Sequence, residues 1–169
     1  MEAPNNIIEL MDSFKQGPSK IEKVIADLSD NDLNYVPING GWSIRQIIHH
    51  IADGDDLWKT CIKMTLGNQQ PEFNLKWYQA MPQMEWAKHW NYENRSIAES
   101  LNLFKANRDH ILQLLEYTPN WWIKKFQYEE PDGKINHITI GFVIKMQTNH
   151  AIHHLNRILE IQKEISANN

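Results

Sequence analysis

Eight histidines and a single cysteine are the side chains through which this 169-residue chain could do chemistry. His150 and His154 stand four apart, so on a helix their imidazoles lie over one another across one turn. That spacing can place two nitrogens on one metal ion. At about 100° per residue, His154 falls roughly 30° and His150 roughly 70° from the centre of the apolar stripe Ile140, Val143, Ile144, Ala151, Leu155, Ile158 and Ile161. A second group, His49-His50, follows a strong helix start. There His50 lies roughly 105° from the centre of that helix's own stripe, Ile44, Ile47, Ile48, Ile51, Trp58, Ile62 and Thr65, on a shoulder that can face a cleft beside the core. His49, roughly 150° away, and His153, roughly 130° away on the other helix, are expected to face solvent.

A lone histidine near an apolar face is more often a hydrogen-bonded core residue than a ligand. Two such residues one turn apart, joined by His50 from another helix, make a three-nitrogen site the competing reading. Three neutral imidazoles leave a divalent cation its full charge and open positions, which is the pattern of catalytic sites. Bound thiol would be held as thiolate, or bound water as hydroxide. Zinc suits three nitrogens best, with nickel and iron also accepting imidazole. Asp53 is a candidate partner for a ligand histidine or a weak base, and Gln147 a candidate to bond a ligand or line the pocket. His89, His110 and His137 read as surface or structural residues. Cys61 stands eleven residues from His50, about 16 Å along a helix, and reads as a small buried hydrophobe. Paired Glu-x-x-His motifs for a di-iron bundle and a Cys-x-x-Cys-His haem motif are absent from the sequence.

Four long helical patterns must carry these side chains. The first runs from about Asn6 to Leu28, with a kink or one-turn break expected at Gly17-Pro18. Ser29 to Gly41 reads as a loop with one short turn. The second helix begins at the capping box Ser43-x-x-Gln46 and runs to Leu66, with Gly67 as a left-handed stop. Asn68 to about Tyr92 is too long and too aromatic for a solvent linker, and reads as a packed crossover that lets the second and third helices run parallel. The third helix covers about Asn94 to Glu116. Trp121 to His137 reads as a β-hairpin, with Ile123, Phe126 and Tyr128 on one side and Pro131-Asp132-Gly133 at the turn. The fourth helix covers about Thr139 to Ile165. The fold class is all-α, a four-helix bundle with a decorated crossover and a small hairpin, spanning 1–169 as one domain.

The formal charge of −4, from 17 Lys and Arg against 21 Asp and Glu, lacks the cation excess of a phosphate-backbone binder. One thiol cannot close an internal disulfide, no apolar run approaches a bilayer span, and the first residues do not resemble a secretory signal. The expectation is a cytoplasmic protein with neither nucleic-acid nor membrane partners.

Gly41-Trp42-Ser43-Ile44-Arg45-Gln46-Ile47-Ile48-His49-His50-Ile51-Ala52-Asp53, followed by His150-Ala151-Ile152-His153-His154, resembles the DinB-like superfamily. It is similar to the YfiT branch of metal-dependent hydrolases, which is associated with bacillithiol S-transferase activity. The likeness covers nearly the whole chain. It implies a bundle in up-down-down-up order, and a metal held by one histidine of the second helix and two, four apart, of the last. Carried over residue by residue these are His50, His150 and His154, the three that periodicity selects. It further implies a homodimer, a small-molecule thiol and an electrophile as partners, and thiol transfer in stress or xenobiotic detoxification. Metal-assisted hydrolysis, or a metal- or small-molecule-binding stress protein without turnover, are the alternatives.

Overall fold

The computed structural model describes residues 5–168. Helix α1 (Asn5–Ile25) leads through the short α2 (Asp30–Asn34) to α3 (Ile44–Gly67). Strand β1 (Glu72–Asn74) and the short helices α4 (Lys76–Gln79) and α5 (Gln83–His89) form the crossover to α6 (Ile97–Glu116). A 3-10 turn at Trp121–Ile123, strands β2 (Lys125–Glu129) and β3 (Ile135–Thr139), and the long α7 (Ile140–Asn168) complete the chain.

The long helices α1, α3, α6 and α7 form the bundle, and their pairings fix its order. His49 meets Ser100 and Asp55 meets Arg108, so α3 and α6 run parallel, as the crossover requires. Gln147 meets Gly54 and His150 meets His50, so α7 runs against α3. Gln162 reaches the Val24 carbonyl while Gly17 faces Ala151, so α7 runs with α1. The order is up-down-down-up. Among the described residues, no helix is long and apolar enough to cross a membrane.

The start of α3 follows its sequence. Ser43 accepts from the Gln46 N–H while the Gln46 side chain accepts from the Ser43 N–H, so two otherwise orphaned donors are satisfied. The end of α3 does not. Gly67 remains helical, and Asn68 closes the helix in an extended conformation, its N–H donating to the Met64 carbonyl. The hairpin forms with Phe126 and Tyr128 buried on one face, whereas Ile123 belongs to the 3-10 turn and is exposed. Strand β1 adds to it in parallel, Phe73 opposite Tyr128, giving a three-stranded sheet in the order β1-β2-β3. A three-residue strand carries too little alternation to be seen in sequence. The sheet packs where α3 ends and α7 begins. α6 starts at Ile97 behind the cap Ser96, three residues later than its apolar pattern indicates.

Helix α1 shows no break at Gly17-Pro18. Pro18 has no N–H for the Phe14 carbonyl four residues back, a defect that ordinarily kinks or breaks a helix. Here Arg108 Nη1 donates to that carbonyl at 2.7 Å. Gly17 makes the approach possible, because a Cβ at this position would collide with Nη1. Arg108 also donates to Asp55 on α3 at 2.6 Å and to the Gln147 carbonyl on α7 at 2.9 Å. Its guanidinium lies 4.3 Å and 4.4 Å from the ring centres of Phe14 and Phe104. One buried cation on α6 therefore touches the other three helices of the bundle. It separates two apolar clusters, one beside the sheet around Ile140 and Phe126, the other around Ile47, Ile51 and Ile158.

Candidate metal centre

Helix α3 presents His50 toward α7, and α7 presents His150 and His154 on successive turns of its inner face. His50 Nε2 and His150 Nε2 lie 3.0 Å apart, and His154 Nε2 lies 3.1 Å from His150 Nε2. All three nitrogens fall within 4.8 Å of one another. The structure thus brings together the three residues that periodicity and resemblance select.

Burial pushes the His50 imidazole down to about 2, with His150 and His154 beside it adding to the shift. Burial likewise lowers His150 to about 4 and His154 to about 3. All three are neutral at pH 7 and offer lone pairs.

Hydrogen bonding alone cannot satisfy this group. His150 Nε2 faces two neighbouring ring nitrogens, yet a neutral imidazole nitrogen either donates one proton or accepts with one lone pair. His154 Nδ1 is buried without a partner among the described residues, so no outside acceptor fixes its tautomer. A cation accepts all three lone pairs at once. Tetrahedral zinc at ~2.0–2.1 Å from each nitrogen separates its ligands by ~3.3–3.4 Å. The two close pairs here are within a few tenths of an ångström of that separation. The residues fit a divalent cation.

Trp42 encloses one side. Its ring meets His50 edge-on at 4.3 Å and lies parallel to His154 at 6.3 Å, while its N–H points to Met84 of α5. A cavity of about 210 Å³ adjoins His50 and His150, bounded also by Leu57, Trp58, Tyr78, Gln83 and Met146. Among the described residues, no carboxylate lines it.

Gln147 lines this cavity and donates to the Gly54 carbonyl at 3.3 Å, so of its two expected roles it fills the second. Asp53 bonds none of the three histidines. It accepts from the Tyr92 hydroxyl, and burial raises both its carboxyl and the Tyr92 phenol. Cys61 is fully buried, its thiol pushed up by burial, and it donates to the Trp58 carbonyl. His89, His110, His137 and His153 are exposed.

His49 is the correction. Expected in solvent, it is 0% exposed. Its Nδ1 lies 2.7 Å from Ser100 Oγ and its Nε2 3.3 Å from the Arg95 carbonyl oxygen. Every residue from Ser43 to Ala52 is buried, because α6 and the segment leading into it cover the face opposite the apolar stripe. Burial holds His49 down at about 4. Replacing it by alanine is expected to cost about 1–3 kcal/mol, since Ser100 loses a buried partner. Urea unfolding checks this, with metal content unchanged. Near-zero cost would contradict the packing role.

A profile of the DinB superfamily matches residues 13–158. A protein of Oceanobacillus iheyensis named "Putative metal-dependent hydrolase" is 29% identical over 164 residues, covering 96% of this chain and 90% of its own. One of the same name from Halalkalibacterium halodurans is 29% identical, covering 83% of this chain and 77% of its own. The solved structure of YfiT from Bacillus subtilis, described as having "an unusual four-helix bundle topology", superposes with a TM-score of 0.82 at 19% identity. It covers 98% of this chain and 91% of YfiT.

Proposed function

The chain belongs to the DinB superfamily, and from that premise we propose that it is a metal-dependent enzyme in which His50, His150 and His154 hold a divalent cation, zinc by preference over nickel or iron. We further infer that it transfers a low-molecular-weight thiol of the bacillithiol type to an electrophile. A divalent cation on three neutral imidazoles supplies a full positive charge and open positions, which lower the pKa of a thiol or of water.

The observation that carries the transfer reading is the cavity beside the histidines. Its mostly apolar walls, from Leu57, Trp58 and Met146, suit the carbon skeleton of an electrophile. Hydrolysis profits from a general base within reach of the attacking water, and no carboxylate among the described residues lines this cavity. A thiol needs none, since its proton can pass to solvent once its pKa is lowered. The sulfur–carbon bond then forms as the bond to the leaving group breaks, and that group departs with the electron pair. Gln147, with Gln83 and Tyr78, offers polar edges in a wall otherwise mostly apolar, suited to orienting a polar substrate atom. Hydrolysis remains the second reading because relatives carry that name.

The first test is metal content by elemental mass spectrometry after reconstitution with Zn²⁺ and desalting. Wild type is expected to retain about one metal per chain. His50→Ala, His150→Ala and His154→Ala should each weaken binding by ~100-fold or more. His153→Ala, on an exposed ring, should retain it. Equal loss in His153→Ala, or retention in the three, sinks the site. Thiol-dependent consumption of 1-bromobutane abolished by a chelator supports transfer. Ester hydrolysis without added thiol would replace it by the second reading, and metal without either activity by the binding protein.

A further inference from the structure

The α7 residues Phe142, Met146, His150 and His154 are spaced by four, so they form one row on that helix. Facing it on α3 is the row His50, Gly54 and Trp58. Together they describe a track that starts at the histidines and runs toward the sheet. Its far end is an open groove of about 570 Å³ over β2 and β3, lined by Tyr128, Ile138, Thr139 and Phe142. Trp58 and Met146 line both this groove and the cavity at the histidines, so the two share a wall. Gly54 leaves the α3 row open between His50 and Trp58. The nearest atom to a Cβ there would be His150 Cε1, at 3.6 Å.

We propose that the groove is the second half of the same binding site, and that it takes the aromatic or long aliphatic body of an electrophile whose reactive carbon sits at the histidines. The proposal rests on the thiol-transfer reading for what happens at that carbon, but not for what the groove holds. From His150 to Phe142 is about 12 Å of helix, the reach of a phenyl ring on a four-carbon chain. Indole, phenol and phenyl rings with a thioether suit an aromatic guest through edge contacts and sulfur–ring contacts. The volume is that of a small-molecule site. Glu130 accepts from the Asn136 side chain at the rim, so that edge is polar and bounds the apolar floor.

The test uses the full chain with methyl-¹³C methionine, whose six residues give few signals, Met146 being assigned through Met146→Leu. The probes are 4-phenyl-1-butanol and 1-butanol, neither reactive. The phenyl compound is expected to shift the Met146 methyl and to bind about tenfold tighter than 1-butanol or better. Phe142→Asp, at a ring 55% exposed, should remove that preference, while Ile152→Asp, 46% exposed on the same helix and outside the groove, should keep it. Metal content should be wild-type in both. A Met146 signal that ignores the phenyl probe, or a preference that survives Phe142→Asp, overturns the proposal. So does sedimentation showing that Phe142→Asp splits a dimer that binds no probe, since the groove would then be an interface between copies. Preference with no thiol transfer by wild type supports the groove and defeats only the reaction.

Discussion

Arg108→Met is expected to destabilise the protein by about 3–5 kcal/mol, the usual cost of leaving a buried charge without its partner. For a chain of this length that corresponds to a fall in Tm of about 10 °C. Arg108 and Asp55 are both almost wholly buried, so neither charge can turn to water. The cost has a second part that neutralising Asp55 cannot remove. Pro18 leaves the Phe14 carbonyl without its helical donor, and Arg108 Nη1 is the donor that replaces it. Without it a buried carbonyl stands unpaired, at about 1–3 kcal/mol. Arg108→Met with Asp55→Asn should therefore recover only part of the loss.

Pro18→Ala distinguishes the two parts, because an alanine at this position restores the N–H four residues from Phe14. It should rescue stability in the Arg108→Met background more than in wild type, where the carbonyl is already satisfied. Chemical denaturation of the four chains gives the coupling. An effect of Pro18→Ala equal in both backgrounds would refute the carbonyl argument, and a cost below about 1 kcal/mol for Arg108→Met would refute the ion-pair argument.

The arginine also explains what periodicity cannot reach. His150 and His154 are legible because their relation is local: two positions one turn apart share a face on any helix. The Ser43–Gln46 box is legible for the same reason, and crossover length constrains the direction of α6 without any contact being known. Arg108 depends on Asp55, Phe14 and Gln147, residues far apart in the chain, so its burial has no local signature. Gly17-Pro18 is visible in sequence, but its meaning reverses once a distant side chain fills the gap. His49 fails similarly. An angle measured from one apolar stripe treats the opposite face as solvent, and in this bundle α6 occupies it. Gly67 shows the reverse limit: glycine permits a left-handed stop without requiring one, and Asn68 ends the helix instead.

The histidine cluster carries a pH dependence of comparable size, with a definite sign. In the unfolded chain each imidazole titrates near 6.5. In the folded protein burial holds His50 at about 2 and His150 at about 4. Between those values and 6.5 the unfolded state binds more protons, so stability is fully present above about pH 6.5 and is lost as pH falls. Each buried histidine contributes up to about 1.4 kcal/mol per pH unit in that window. His50 and His150 alone should remove about 4 kcal/mol from the metal-free protein between pH 7 and pH 5. His150 stops contributing as pH passes through its folded value near 4, while His50 continues lower. Asp53 acts with opposite sign, because its raised carboxyl takes up a proton in the folded state before the unfolded one does. Zinc should add a nearly constant increment from pH 7 to pH 5, since the folded rings that bind it are neutral at both. Urea midpoints at pH 7, 6 and 5, on the metal-free chain and on His50→Gln with His150→Gln, measure the slope. The double variant should lose most of the cluster's contribution. A stability flat from pH 7 to 5, or a slope the variant leaves untouched, would mean that these rings are not held neutral by burial. The case for three converging lone pairs would then fail with it.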